Sequence, residues 1–405
     1  MARQRTPLSA NENTVVLNAC YAYHFLNDAI TFVLPTVMVL LFKDFRLNWL
    51  ESGVIFAMNL LAMILFQLVM GYYSDIVDQK NIMLAGMALL GVSTLLMAMS
   101  FDFSSLLIYA ILLGLGLGIQ HASSYSISAR IMTEKVNRQA AFGDFGKGTA
   151  IVCSTLLLFF LPGDVAWRGS FVAWGIATLC AAAFVAFKLR SFHLVPSGYS
   201  TGTFQFNETV VEDRMGRKAV LRRIAALAGL FVLFMLYSAQ FQVISNNLTT
   251  YMGEYKGFDT RVAPFFFVVF FIFATAGSFS SLPLSRRFDK KDLLMANYLV
   301  YLITLVLYVA IDPRDATTNA IFCAALAFFS YTTYPIILQT LSARSPRAYL
   351  GLVFGITMGL GWVGGFVSSL MAGFLSDMFT AQAIFFIAIV VVACSLVVLW
   401  RTRFA

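Results

Sequence analysis

The chain has 405 residues, 60% of them hydrophobic and only 12% charged, with a net charge of +8. An ordinary soluble domain is about 25% charged, and a monomer with this apolar surplus has too little polar surface to present to water. Collagen-like, disordered and disulfide-stapled classes are also excluded: the 27 Gly follow no triplet period, there are 40 Phe, and all five Cys lie in apolar runs.

One bilayer span takes about 20 apolar residues. Apolar windows predict a first set of six spans near 15–42, 51–74, 81–100, 104–130, 139–162 and 170–188. A second six follow near 224–250, 262–284, 293–311, 319–343, 349–374 and 380–400. These runs are too long and too uniformly apolar for the alternating strands of a barrel, so helices are the spanning element. The polar stretch Met1–Asn13 precedes a long run that has no small-residue cleavage site and carries His24 and Asp28. It reads as a permanent first span rather than a cleaved signal.

Lys and Arg fix the expected orientation. The N-terminus, every second loop and the C-terminus together hold 21 of them, the opposite loops hold 6, and Lys147 lies inside a span. That ratio predicts cytoplasmic termini in a multi-pass inner or plasma membrane protein. It also explains the basic charge through topology and anionic headgroups, with no nucleic-acid partner required.

The long hydrophilic stretch 189–222 divides the chain into an N-terminal six-helix bundle, 1–188, and a C-terminal one, 223–405. The two halves echo each other. Asp78 corresponds to Asp289, Ser128-Ala129-Arg130 to Ser342-Ala343-Arg344, and Phe142-Gly143 to Phe354-Gly355, at offsets of 211, 214 and 212. The expected fold is therefore all-α and polytopic, with 12 transmembrane helices in two six-helix pseudo-repeats. Such repeats are typical of secondary transporters, whose sites lie at mid-membrane between them.

With Gly71-x-x-x-Asp75 and Lys80 after span two, the chain resembles the major facilitator superfamily over nearly its whole length. Three segments resemble more closely the fosmidomycin-resistance-like exporters. They are His24-Phe25-Leu26-Asn27-Asp28, His121-Ala122-Ser123-Ser124 and Arg138-Gln139-Ala140-Ala141-Phe142. The resemblance implies the major facilitator fold, spans one, four, seven and ten around a central cavity, and a gating role for Gly71, Asp75, Lys80 and Arg130. It implies no cofactor. Span five departs from the exporters by carrying Asp144 and Lys147 in place of an uncharged Gly-rich stretch.

Charged side chains inside a bilayer cost about 2.5–3.5 kcal/mol each on insertion scales, so they are paired or face water, and are functional by default. Asp28, Asp144 and Lys147 all lie in the first half, and spans seven to twelve have no ionisable residue well inside the membrane. Tyr21, His24, Asp28 and Thr31 share one face of span one, with Asn27 beside them. The His24/Asp28 neighbours at i, i+4 suit a proton-coupling group, with Asp144 a further candidate; they would equally pin span one through buried hydrogen bonds. His121 and Tyr125 stack in span four as substrate or packing residues. Lys147, at i+3 from Asp144, suits either an anionic substrate or an intrahelical pair.

The second half offers neutral groups. Ser238, Gln242, Ser245 and Thr249 form a stripe on span seven, and Tyr331 and Tyr334 stand beside Pro335 on span ten. They suit substrate contact or polar adhesion between helices. The string Gly198-Tyr199-Ser200-Thr201-Gly202, with His193 nearby, matches a nucleophile elbow in letters alone, without a strand–turn–helix context. No metal-ligating pattern is present.

The expected function is secondary active transport by alternating access rather than an enzyme's or a receptor's role. The first reading is proton-coupled export of a small amphipathic or anionic compound by a monomer. The alternative is proton-coupled uptake of an organic anion. Tyr21, Asn27, His121, Tyr125, Lys147, Gln242, Tyr331 and Tyr334 are the expected substrate contacts.

Overall fold

The computed structural model describes residues 10–73, 77–120, 124, 127, 135–192, 194, 222, 224–345 and 350–402. Among these, twelve helices are long and apolar enough to cross a membrane. They are α1 (Ala10–Asp44), α2 (Trp49–Tyr73), α3 (Gln79–Ala98), α4 (Phe103–Gln120), α5 (Lys135–Phe160) and α6 (Gly163–Lys188). Then come α7 (Ala228–Thr250), α8 (Ala263–Arg287), α9 (Lys290–Ile311), α10 (Ala316–Arg344), α11 (Leu350–Met378) and α12 (Ala383–Arg401). Every predicted span overlaps one of them, although the end of the fourth, 121–130, lies outside the described residues apart from Ser124 and Ile127. The ends differ by a few residues where polar termini continue the helix, as at Ala10 and Asp44 of α1. A π-helical turn, Tyr251–Tyr255, extends α7.

The chain forms two compact units. One is Met1–Leu34 with Leu61–Val211, and the other is Pro35–Leu60 with Glu212–Ala405. Both α1 and α2 are therefore shared, α1 changing unit at Pro35, whose missing N–H leaves its i→i−4 bond unmade inside the helix. The sequence echoes count both helices wholly in the first repeat. Repeat and compact unit are different divisions, one following sequence and the other packing.

In the first unit α3 packs against α4 and α6. In the second, α7 packs on α11 and α12, α8 on α10, and α9 on α10 and α12. The shared part of α2 is held there by its N-terminus. Trp49 N and Leu50 N donate to the two carboxylate oxygens of Asp377 at 2.9 and 2.8 Å. Asn48 and Glu51 add a reciprocal capping box of 2.9 and 2.8 Å bonds. A carboxylate at this helix end also meets the positive end of the helix dipole. Thr249 Oγ1 in turn donates to Pro35 O at 2.6 Å, tying the second part of α1 to α7.

The two units repeat one joint. Asp78 caps α3 by accepting from Lys80 N at 3.0 Å, and Lys80 Nζ donates to Phe192 O beyond α6 at 2.6 Å. Asp289 caps α9 by accepting from Lys291 N at 2.8 Å, and Lys291 Nζ donates to Trp400 O and Thr402 O at the end of α12, both at 2.9 Å. In each unit an Asp-x-Lys at the start of the third helix fastens the end of the sixth.

Candidate functional site

In the first unit α1 and α5 meet along a seam that takes in two of the three singled-out segments and the residues beside them. Tyr21 stacks on Phe142 with ring centroids 5.2 Å apart and planes 6° from parallel. Phe25 meets Phe145 at 5.8 Å. The same seam carries the charge. His24 Nε2 is 3.4 Å from Asp28 Oδ2, and Lys147 Nζ is 3.1 Å from the same oxygen. Lys147 Nζ is also 2.9 Å from Asp144 Oδ1, so one ammonium bridges two carboxylates. Asn27 Nδ2 lies 3.4 Å from Asp28 Oδ1. Tyr21, His24, Asn27 and Asp28 are all buried. Asp144 is the open member, with 43% of its side chain accessible against 10% for Asp28.

The i, i+4 neighbours His24 and Asp28 and the i, i+3 pair Asp144 and Lys147 are thus both formed, as helix geometry requires. What spacing within one helix did not show is the bond between them, Lys147 to Asp28. The third segment joins through an amide: Gln139 Nε2 donates to Ser124 Oγ at 2.8 Å. Gln120 Nε2 donates to the same hydroxyl at 2.6 Å, and Ser124 donates to Gln120 O at 3.0 Å. Gln120 and Gln139 were not expected as site residues, although Gln139 stands inside a quoted motif. The arrangement is a buried carboxylate with an imidazole, an ammonium and an amide within 3.4 Å. Such a group can exchange a proton, or hand a counter-ion to a ligand.

The second unit builds an uncharged aromatic wall. Tyr331 on α10 meets Phe241 on α7 edge-on at 5.0 Å, and Tyr334 lies 5.5 Å from Tyr237. Tyr237 stacks on Phe241 within 8°. Gln242 is buried one residue along. Behind the wall Gln240 Nε2 donates to Ser330 Oγ at 2.8 Å, and Tyr301 Oη donates to Gln240 Oε1 at 2.5 Å. From the polar stripe, Thr249 is committed to Pro35.

Lys80 is engaged in the α3–α6 joint, and Gly71 lies in the last turn of α2. His121, Tyr125, Asp75, Arg130, His193 and Gly198–Gly202 lie outside the described residues.

A further charged cluster escaped the sequence reading. Lys256 follows the π turn, its side chain fully enclosed, with Nζ 2.6 Å from Asp312 Oδ1 and 2.8 Å from Pro313 O. The rings of Tyr308, Tyr251 and Tyr255 surround it at 4.9, 5.6 and 5.8 Å. Arg314 takes the other carboxylate oxygen at 2.6 Å. Asp312 caps α9 in the left-handed region, φ 44°, which Asp tolerates better than most residues. Burial alone would raise its carboxyl, but the hydrogen bond and charge of Lys256, with Arg314, hold it below the usual carboxylate range. Burial pushes the Lys256 ammonium below its ordinary value, against the pull of Asp312. Only the two tyrosines beside Lys256 hinted at this cage, since Asp312 is 56 residues away.

A profile of the Major Facilitator Superfamily matches residues 20–369. The chain belongs to that superfamily of transporters. The fosmidomycin resistance protein of Escherichia coli K12 is 24% identical over 367 residues, covering 88% of this chain and 86% of that protein. The purine ribonucleoside efflux pump NepI of Salmonella typhimurium is 28% identical over 211 residues, 52% of this chain and about half, 49%, of the pump. Among solved structures, a bacterial homologue of the human lysosomal transporter Spinster superposes with a TM-score of 0.77 at 12% identity, covering 98% of both chains. The nucleoside transporter NupG gives 0.69 at 12% identity, over 96% of this chain and 98% of that one. At such identities the structures speak for the fold alone.

Proposed function

We propose that this major facilitator is a proton-coupled exporter of a small amphipathic or anionic compound, working as a monomer by alternating access. The observation that carries the reading is Asp28, buried on α1 with His24 and Lys147 against the same carboxylate oxygen. A carboxylate kept in such a place has to be neutralised or paired at each step of a cycle that alternately wets and dries it. Asp144, the more accessible acid, shares Lys147 and offers the proton a second station. The aromatic wall of Tyr237, Tyr331 and Tyr334 supplies the neutral grip that an amphipathic solute needs. The efflux activity named for one relative, and the drug resistance named for another, are in keeping with export. The lysine and arginine asymmetry supports an inner or plasma membrane location with cytoplasmic termini.

Proton-linked uptake of an organic anion is the second reading, and Lys147 favours it. Protonating both acids would free the ammonium for an anion, since either carboxylate alone still pairs with it. The deciding experiment is proteoliposome transport under an imposed pH gradient, with fosmidomycin and a purine ribonucleoside as probes. Export coupling predicts accumulation against an opposing proton flux, lost in Asp28→Asn while exchange between the two faces persists. Movement of probe and proton in the same direction would favour uptake. Gradient-driven transport unchanged in Asp28→Asn would remove Asp28 from the coupling step.

A further inference from the structure

Two glycines of α5, Gly143 and Gly146, face α1 one turn apart, and they face different things. A Cβ on Gly146 would collide with the backbone carbonyl of Phe25. This is close helix packing, which small residues serve throughout membrane bundles. A Cβ on Gly143 would lie 2.6 Å from Asp28 Oδ2 and 2.7 Å from His24 Nε2, the two polar atoms that form the charged pair. Neither contact is tolerable for a methyl group, yet both neighbours are ends of side chains that can move aside.

We propose that Gly143 is a positioning residue for the His24–Asp28–Lys147 cluster. Without a Cβ it leaves a slot in the α5 surface, into which the Asp28 carboxylate and the His24 imidazole fit. Lys147, one turn further along the same face, then reaches Asp28 Oδ2 at 3.1 Å. With a methyl in the slot, Asp28 and His24 are pushed off α5. Lys147 keeps Asp144, its neighbour at i−3, at 2.9 Å. The slot therefore decides whether the ammonium bridges both acids or serves one. Among the described residues the titratable groups facing Asp28 are His24 from α1, and Lys147 with Asp144 behind it from α5; Tyr21 flanks them on its stacked partner Phe142.

The inference rests on the proposed role of Asp28 as a group that changes charge, and its test separates the two. The purified full-length chain, in detergent, is unfolded by heat at a series of pH values from about 4 to 9, where carboxylates and imidazole titrate. The five Trp provide the signal. The difference between the parent and Asp28→Asn profiles isolates what Asp28 contributes. Gly143→Ala is expected to move the midpoint of that contribution by about half a pH unit or more, a roughly threefold change in proton affinity. Gly146→Ala is expected to lower Tm equally at every pH.

If Asp28→Asn leaves the profile unchanged, Asp28 does not titrate, and the coupling assignment falls together with this inference. If Asp28→Asn changes it while Gly143→Ala overlays the parent, or merely lowers Tm uniformly, the slot is packing only and the inference alone is overturned. If Gly143→Ala does not fold, Gly143→Ala combined with Asp28→Ala decides. Recovery of a folded chain there supports the slot, and failure to recover refutes it.

Discussion

The two units share a joint and differ in what they enclose. Asp78 and Lys80 fasten the end of α6 as Asp289 and Lys291 fasten the end of α12. The interiors have diverged. The first unit buries a carboxylate, an imidazole and an ammonium at the α1–α5 seam. The second keeps its enclosed cation, Lys256, at the helix ends, and between its helices buries amides, hydroxyls and tyrosines, such as the Gln240–Ser330–Tyr301 network. A joint made of backbone caps is indifferent to what lies inside it, so a duplicated scaffold can keep its fastenings while one copy specialises in charge and the other in neutral contact.

The sharpest way to break this comparison is to remove the charge. Asp28→Asn is expected to cut gradient-driven accumulation about tenfold or more, the equivalent of ~1.4 kcal/mol. Tyr334→Ala in the second unit is expected to raise KM several-fold without moving the pH profile. Proteoliposome flux at a series of pH values checks both, and identical pH behaviour in the two variants would erase the division of labour.

The Lys256 cage is read in stability rather than in flux. Losing one partner of a buried ion pair costs about 3–5 kcal/mol. Asp312 is 26% accessible, so Asp312→Asn is expected to cost about 2–3 kcal/mol after allowing for solvent screening. The sign follows from its depressed folded value. The stabilisation is complete above the ordinary carboxylate value of 3.8 and disappears as pH falls through the lower folded one. Thermal unfolding of parent and variant should therefore converge in acid. Tyr301→Phe leaves Gln240 Oε1 without its donor, and should lower stability by about 1–3 kcal/mol at any pH below the tyrosine range.

The smallest effect tests the shared joint. Asp78→Ala and Asp289→Ala each remove one helix cap, for about 1 kcal/mol apiece. Similar Tm losses would support equivalent joints, whereas a large loss in one and none in the other would show that only one carries weight.

The spans were legible because bilayer thickness sets their length, and hydropathy reports it directly. His24 with Asp28, and Asp144 with Lys147, were legible because helical spacing alone brings each pair together. The bond from Lys147 to Asp28 was not, since it depends on which faces of α1 and α5 meet. Gly143 was invisible for the same reason: a glycine's role lies in what approaches it. The Lys256 cage was missed because its charges, Lys256, Asp312 and Arg314, come from two connections that hydropathy treats as plain loops. The Asp78/Asp289 echo was visible, but the lysines two residues later gained their meaning only when both reached the ends of their sixth helices.

Pro35 gives α1 a mechanical property that its charges alone do not. Seven residues separate it from Asp28, about 10 Å along the helix axis. Thr249 holds the helix at Pro35 itself. Pro35 is thus where α1 leaves the unit that holds the Asp28–Lys147 pair, so the ion pair and the Thr249 tie lie on opposite sides of one unmade backbone bond.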